Sequence, residues 1–375
     1  MTPAASTDPV RVLLVDDSAV IRGFVTRALA DLPDVRIIAS VGDGAAAIAA
    51  LKREVADIII LDIEMPVMTG LQALPELVKI APHARIIMSS TLTSEGAEVT
   101  LRAMALGAAD YVTKPTSTRE QNATDDWRRD LIAKIEALGS AARRQRTSRT
   151  APTAAQPAAA AAAPINKSRL YDGAAVKLRE PARQAPAVIA IGSSTGGPQA
   201  LFQVMPHLKG VRQPIVITQH MPKAFTTILA DHISRQTGVP CLEAKTGDVL
   251  EAGRAYLAPG DYHLLFERKG EQVVTILDQG PPESFCRPAV DPMLRSLVKA
   301  YTAPKIIIAI LTGMGADGQK SCEQLTASGG TVVAQDQATS VVWGMPGAVA
   351  TTGLCSAVLP LGDIGPYLHK FAARV

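Results

Sequence analysis

Between residues 139 and 185 the chain carries few large apolar side chains, and 151–163 is almost entirely Ala and Pro. Such a stretch cannot supply a core, and Pro152, Pro157 and Pro164 interrupt the helix that alanine alone favours. It reads as a semi-flexible linker that divides the 375 residues into two bodies, in keeping with a length too great for one ordinary core. The expected organisation is a disordered N-terminus over 1–9, a first domain over 10–138, an Ala/Pro/Arg-rich linker over 139–185 and a second domain over 186–375.

Charge is unevenly placed along this plan. Nine basic residues against Asp172 and Glu180 give the linker a formal +7, so a chain whose net charge is +3 leaves −4 on the rest. The arginines are spread among alanines without interleaved aromatics, and aromatics make up only 4% of the chain, which argues against a nucleic-acid partner. Cys241, Cys286, Cys322 and Cys355 form no CxxC pair, so neither a structural zinc site nor a disulfide scaffold is expected, and the thiols read as reduced. No apolar run reaches the ~20 residues that span a bilayer. A cytoplasmic protein with no membrane insertion is the expectation.

The first domain alternates short apolar runs (10–15, 35–39, 57–61, 85–89 and 109–112) with segments of helical spacing. That alternation predicts a doubly wound, flavodoxin-like sheet of five parallel strands, whose functional crevice lies at the carboxyl ends of the strands. Asp16 and Asp17 follow the first strand and Asp62 the third. Clustered carboxylates repel one another, and a hard divalent cation with oxygen ligands, Mg2+ above all, is the economical way to hold them. Lys114, just before Pro115, can reach the same crevice, and Ser90 offers a hydroxyl at the fourth strand end. The alternative is that the three acids merely cap strand ends.

These residues lie in VLLVDDS (12–18), IIILDIEMPVMTG (58–70), IIMSS (86–90) and GAADYVTKP (107–115), which together resemble response-regulator receiver domains. The resemblance covers roughly residues 10–138. It implies that Asp62 accepts a phosphoryl group from a histidine kinase and that Asp16, Asp17, Asp62 and the backbone carbonyl of Glu64 hold Mg2+. It further implies that Lys114 contacts the phosphoryl group, that Ser90 moves with it, and that Tyr111 matches the rotating aromatic. Tyr111 reads equally well as a half-buried strand aromatic.

In the second domain, strand signals at 188–192, 215–219, 254–257, 273–277, 306–311 and 331–334 predict a mostly parallel α/β domain, with hairpins over 243–278. In AIGSSTGGPQAL (190–201) a strand runs into a Ser/Gly turn before Pro198 opens a helix. Read as G-x-S-x-G over 192–196, it marks Ser194 as a nucleophile. A phosphate cradle is the alternative, but the Lys-Ser/Thr of a P-loop is missing. A serine needs a base, and of His207, His220, His232, His263 and His369 only His220 follows a parallel-type strand, in IVITQHMP (215–222). KIIIAILTGMGADG (305–318) ends in a Gly-rich loop with Asp317, which would orient the imidazole; capping the following helix is its other reading, and Asp336 is the second choice of acid. Backbone N–H groups of Thr195 and Met314 are the expected oxyanion donors. The order Ser, His, Asp differs from that of α/β-hydrolases, chymotrypsin and subtilisin.

IGSSTGG, ITQHMP, RPAVDPML (287–294) and LTGMGADG then resemble the chemotaxis protein-glutamate methylesterases, the CheB family. The resemblance implies a catalytic triad of Ser194, His220 and Asp317 that demethylates, and at glutamines deamidates, chemoreceptors. No cofactor is expected for that reaction, and a monomer is expected. Ser193 stands where many relatives carry Ala. A transcriptional regulator would need a short helix-turn-helix output with a basic face, which an α/β pattern of this length does not provide; a catalytically silent receiver-switched module is the other rival.

Overall fold

The structure, a computed structural model, describes residues 8–114, 121–150 and 176–374, with side chains over 125–143 in the middle segment. Residues 1–7 of the expected N-terminal tail, the centre of the linker and Pro115 lie outside the described residues, whereas Asp8 of that tail is described and its backbone oxygen accepts from Arg143 Nη1 at 2.6 Å. The chain divides into two compact units, Met1–Ala161 and Ala162–Val375.

In the first unit, strands β1 (Val10–Val15), β2 (Val35–Val41), β3 (Ile58–Asp62), β4 (Arg85–Ser90) and β5 (Asp110–Thr113) pair in parallel in the order β2-β1-β3-β4-β5. Every residue of β3 is buried, as a parallel strand covered by helices on both faces requires. The helices α1 (Ala19–Leu29), α2 (Gly44–Leu51), α3 (Gly70–Ile80) and α4 (Ser94–Ala105) start where Ser18, Asp43, Thr69 and Thr93 accept hydrogen bonds from first-turn N–H groups. Strand order reverses between β1 and β3, which sets the ends of those two strands around one crevice.

Helix α5 (Gln121–Thr150) runs on through the residues where the sequence places the start of the linker. The cause is packing: Trp127, Leu131, Ile135, Leu138 and Ala142 form a buried stripe. Gly139 lies so close to β1 that a Cβ there would stand 2.6 Å from Val10. At the other end of that stretch, 176–185 is bound to the second unit: Arg179 N–H donates to Cys355 O at 2.9 Å, and Ala182 N–H to Thr331 Oγ1 at 2.9 Å.

The second unit is built on a seven-stranded sheet in the order β14-β13-β12-β6-β7-β9-β8, with every pair parallel. Its strands are β6 (Val188–Ser193), β7 (Ile215–Gln219), β8 (Cys241–Glu243), β9 (Ala255–Leu257), β12 (Ile306–Ile310), β13 (Thr331–Gln335) and β14 (Ala357–Leu359). The expected antiparallel excursion is a single hairpin, β10 (His263–Lys269) with β11 (Gln272–Asp278). Helices α6 (Gly197–Val204), α7 (Lys223–Thr237), α8 (Val290–Ala300), α9 (Gln319–Ala327), α10 (Met345–Thr351) and α11 (Leu361–Ala372) complete the unit. Helix α8 packs on the hairpin, where Ser296 Oγ accepts from Phe266 N–H at 3.1 Å and Ala300 O from Arg268 Nε at 2.8 Å. The chain lays strands outward from β6 on one side and then returns to lay β12, β13 and β14 on the other. The switch point is therefore between β6 and β12.

One close approach in the first unit is testable. A Cβ on Gly70 would stand 1.9 Å from the backbone oxygen of Asp62, so the α3 start touches the end of β3. Gly70→Ala is expected to cost about 1–3 kcal/mol by overpacking, read as faster hydrogen exchange at the β1 and β3 amides; unchanged exchange would contradict that contact.

Candidate active site

At the switch point of the first unit, Asp16 and Asp62 are buried and Asp17 is exposed, and one carboxylate oxygen from each lies within 4.8 Å of the others. Lys114 Nζ stands 3.2 Å from Asp16 Oδ2 and 2.7 Å from Asp62 Oδ2. Burial pushes the Asp62 carboxyl up to about 6, aided by the Asp16 charge and opposed by the Lys114 hydrogen bond and charge. Three carboxylates stand against the Lys114 ammonium and the Arg22 guanidinium, which donates to the backbone oxygens of Asp16 and Asp17 at 2.6 and 3.1 Å, so the cluster keeps an excess of negative charge. An all-oxygen donor set with that charge fits a hard divalent cation.

The neighbours differ in how closely they join this cluster. Glu64 lies exposed in the turn after β3. Ser90 is buried at the end of β4, but its hydroxyl donates to Thr91 O and Gly96 O, each at 3.2 Å, rather than into the cluster. Tyr111 is buried on β5, and Lys134 Nζ of α5 lies 4.9 Å from its ring centroid and donates to its backbone oxygen at 2.6 Å. Lys134 is in turn paired with Asp130 at 3.0 Å and Asp110 at 3.7 Å.

In the second unit the register of β6 on β7 pairs Ser193 with Gln219, so the next residues, Ser194 and His220, leave adjacent strand ends. Ser193 and Ser194 part ways here. Ser193 is fully buried, and its hydroxyl donates to Gln219 Oε1 at 2.7 Å. Ser194 is half-exposed, and its hydroxyl has no hydrogen-bond partner among the described residues. Its N–H donates to Thr312 O at 3.0 Å, which ties the β6 turn to the end of β12. Gly313 lies under it: a Cβ there would stand 2.8 Å from Ser194 Cβ.

Asp317, in the loop between β12 and α9, is 1% exposed and receives three hydrogen bonds. His220 Nε2 lies 2.8 Å from Oδ2, while the N–H groups of Val290 and Asp291 donate at 2.6 and 3.0 Å. Those N–H groups belong to the first turn of α8, which has no internal partner for them and carries the positive end of the helix dipole. Burial alone would raise the Asp317 carboxyl; the His220 and backbone contacts outweigh it and hold it below its ordinary value. Asp317 thus does not cap the following helix. Asp336, the other candidate acid, accepts from Thr339 N–H at 3.0 Å and Thr339 Oγ1 at 2.6 Å and shapes its own loop.

His220 responds to two neighbours. Burial disfavours its cation, but charge and hydrogen bonding from the Cys286 sulfur and from Asp317 outweigh that and raise it above its ordinary 6.5. With Nε2 on Asp317, Nδ1 is the nitrogen that Ser194 must share with the Cys286 sulfur, the reverse of the serine-protease arrangement. No hydrogen bond joins Ser194 to His220 among the described residues; apo sites commonly hold such pairs open until substrate binds. The N–H groups of Thr195 and Met314 likewise have no hydrogen-bond partner among the described residues.

Three residues that shape the site, Gln219, Thr312 and Gln335, go unnoticed in the sequence, and a fourth, His263, is considered there only as a base. Gln219 Nε2 donates to both Ser194 O (2.9 Å) and His220 O (3.1 Å), clamping the two turns together. Thr312 Oγ1 donates to Thr195 O at 2.9 Å, and Gln335 Oε1 accepts from Thr312 N–H at 2.8 Å. His263 accepts from Ala289 N–H at Nδ1 (3.2 Å) and reaches Pro281 O with Nε2 (3.1 Å), bracing the approach to α8. The available signal was a polar residue ending an apolar strand, as in IVITQ and TVVAQ.

The two folds and their clusters define a receiver unit coupled to a hydrolase unit. Residues 12–123 match the family model for the response regulator receiver domain and 189–368 that for CheB methylesterase. A protein-glutamate methylesterase/protein-glutamine glutaminase of Rhodospirillum centenum is 54% identical over 99% of this chain and 96% of its own length. One from Azospirillum brasilense is 55% identical over 100% and 95%. The crystal structure of the Thermotoga maritima CheB methylesterase catalytic domain is 39% identical, with a TM-score of 0.48, covering 50% of this chain and 99% of that one. The chain belongs to the protein-glutamate methylesterase/protein-glutamine glutaminase family.

The raised His220 has a consequence for stability. Protonating it favours the folded state; that contribution is full below its unfolded value of 6.5 and is lost as pH rises through the higher folded value. Asp317→Asn is expected to bring His220 down and to flatten the alkaline loss of stability, as read by histidine NMR titration and urea midpoints across pH. A His220 titration unmoved by the substitution would contradict the pairing.

Proposed function

We propose that this protein is a cytoplasmic, monomeric esterase that hydrolyses γ-glutamyl methyl esters on chemoreceptors, deamidates particular receptor glutamines, and is switched on by phosphorylation of Asp62. The observation that carries this reading is the half-exposed Ser194 beside a His220–Asp317 pair at a topological switch point. No described helix is long and apolar enough to cross a membrane.

In the ester reaction, Ser194 Oγ attacks the glutamyl carbonyl while the deprotonated form of His220, whose share grows as pH rises toward its folded value of about 10, takes the hydroxyl proton at Nδ1. The ring then carries a proton on each nitrogen, and the Asp317 carboxylate, kept ionised by the α8 amides, stabilises that cation. The N–H groups of Thr195 and Met314 receive the oxyanion. His220 returns the proton to the departing methoxide, methanol leaves, and water, deprotonated by the same ring, releases the glutamate and restores Ser194. At a glutamine, ammonia leaves in place of methanol.

In the receiver, Asp16, Asp17, Asp62 and the Glu64 carbonyl would hold Mg2+, which offsets the excess carboxylate charge and that of the incoming phosphoryl group. Asp62 takes the phosphoryl group from the phosphohistidine of a histidine kinase, and Lys114 meets one of its oxygens. Ser90 would join them by giving up its contacts to Thr91 and Gly96.

Methanol release from methyl-labelled receptor is the test. Ser194→Ala is expected to lower the rate by about four orders of magnitude or more, whereas Ser193→Ala, which removes only a buried hydrogen bond worth about 1 kcal/mol, should leave a large share of it. The reverse ranking would move the nucleophile to Ser193. A small-molecule phosphodonor should raise the rate of the native chain and leave that of Asp62→Asn unchanged; equal stimulation of both would sink control through Asp62.

A further inference from the structure

In a trans peptide the C=O and N–H of one unit point to opposite sides, so a bound carbonyl orients the N–H behind it. The unit between Ser194 and Thr195 is held in this way: Ser194 O accepts from Gly197 N–H at 2.7 Å and from Gln219 Nε2 at 2.9 Å. The unit between Gly313 and Met314 is held likewise, since Gly313 O accepts from the Gly344 and Met345 N–H groups, at the start of α10, at 3.0 and 2.9 Å. The Thr195 N–H is therefore turned away from Gln219 and the Met314 N–H away from α10.

These anchors fix the plane of each unit but not the distance between the two, because one unit follows β6 and the other β12. Thr312 spans that gap. It is 1% exposed, and each of its polar groups is engaged. Its N–H donates to Gln335 Oε1 at 2.8 Å, and its backbone oxygen accepts from Ser194 N–H at 3.0 Å. Its hydroxyl donates to Thr195 O at 2.9 Å and accepts from Val342 N–H at 3.0 Å, and Val342 O in turn accepts from Gly313 N–H at 3.0 Å. Ser194 N–H and Thr195 O, which flank the first unit, thus both end on Thr312, while Val342 ties the same hydroxyl to the residue that opens the second. A Cβ on Gly196 would stand 3.2 Å from Thr312 Cγ2, so the serine turn also packs on the threonine methyl.

We propose that Thr312 is a positioning residue for the esterase: its hydroxyl sets the spacing of the Thr195 and Met314 N–H groups, and so the fit of the oxyanion between them. The proposal rests on reading Ser194 as the esterase nucleophile and those two groups as its oxyanion donors. Thr312 acts through the two turns rather than on the ester itself. Such donors are aimed at the place of the oxyanion, not of the ground-state carbonyl, so a change in their spacing acts on the tetrahedral state and spares substrate binding. Thr312→Val keeps the volume and the branching but leaves Thr195 O and Val342 N–H without their shared partner, which frees one half of the pair to drift. Thr312→Ser keeps the hydroxyl.

The test measures methanol release from methylated receptor by the full chain, and the binding of phenylboronic acid, whose tetrahedral adduct on Ser194 places an oxygen where the oxyanion forms. Thr312→Val is expected to lower kcat by about a hundredfold, the order lost with one oxyanion donor, with KM within about twofold of the native value. Its boronate dissociation constant should rise by a similar factor. The His220 titration should stay where it is in the native chain, because the Asp317 contacts are untouched. Thr312→Ser should restore kcat to within about threefold of the native value, and boronate affinity with it. If Thr312→Val does not fold, Thr312→Ala takes its place in the same comparison. A loss carried by KM, a slowed variant that binds boronate as the native chain does, or equal losses in Thr312→Val and Thr312→Ser would overturn the proposal. A native chain that releases no methanol refutes the esterase reading instead, while the boronate affinities of the three chains still decide whether the Thr312 hydroxyl sets this pair of donors.

Discussion

The Asp317 carboxylate fixes three separate parts of the second unit. Its two oxygens receive the first amides of α8 and the imidazole of His220, from a loop that follows β12. An ionised carboxylate buried to this degree is unfavourable unless several donors surround it. Here two of those donors are amides that the start of a helix leaves unpaired, so one contact satisfies both needs. Without it α8 would lose its anion, His220 its orientation, and the 286–290 segment its reason to pass beside the site.

Both units use the same architectural device for different chemistry. Each places its cluster where strand order reverses, between β1 and β3 in one and between β6 and β12 in the other. In the receiver unit the crevice gathers hard carboxylates that exceed the charge of Lys114. In the hydrolase unit it gathers a hydroxyl, an imidazole and a single carboxylate, with Gln219 and Thr312 holding the turns in register. Backbone topology sets where the chemistry can be. Side-chain identity sets what it is.

Much of this was legible in the sequence because parallel strands covered on both faces read as unbroken apolar runs. Their ends, and hence the locations of Asp16, Asp62, Ser194 and His220, can be counted off directly. The strands β8 and β14, the three-residue edges of the second sheet, escaped notice, whereas the equally short β9 inside it did not. The extension of α5 past residue 139 depends on Gly139 meeting Val10, a contact between segments far apart in the chain. The choice between Ser193 and Ser194 turns on burial, which adjacent identical residues do not reveal. The partners of Asp317 were hidden for the same reason, since the α8 amides lie close to it only after folding.

The account stands on Ser194 being the nucleophile that His220 activates. A fluorophosphonate probe followed by peptide mapping tests this directly. The account predicts a covalent adduct on Ser194 that forms far more slowly in His220→Gln, with Ser193 unlabelled. An adduct on Ser193, or labelling of Ser194 at the same rate without the imidazole, would contradict it.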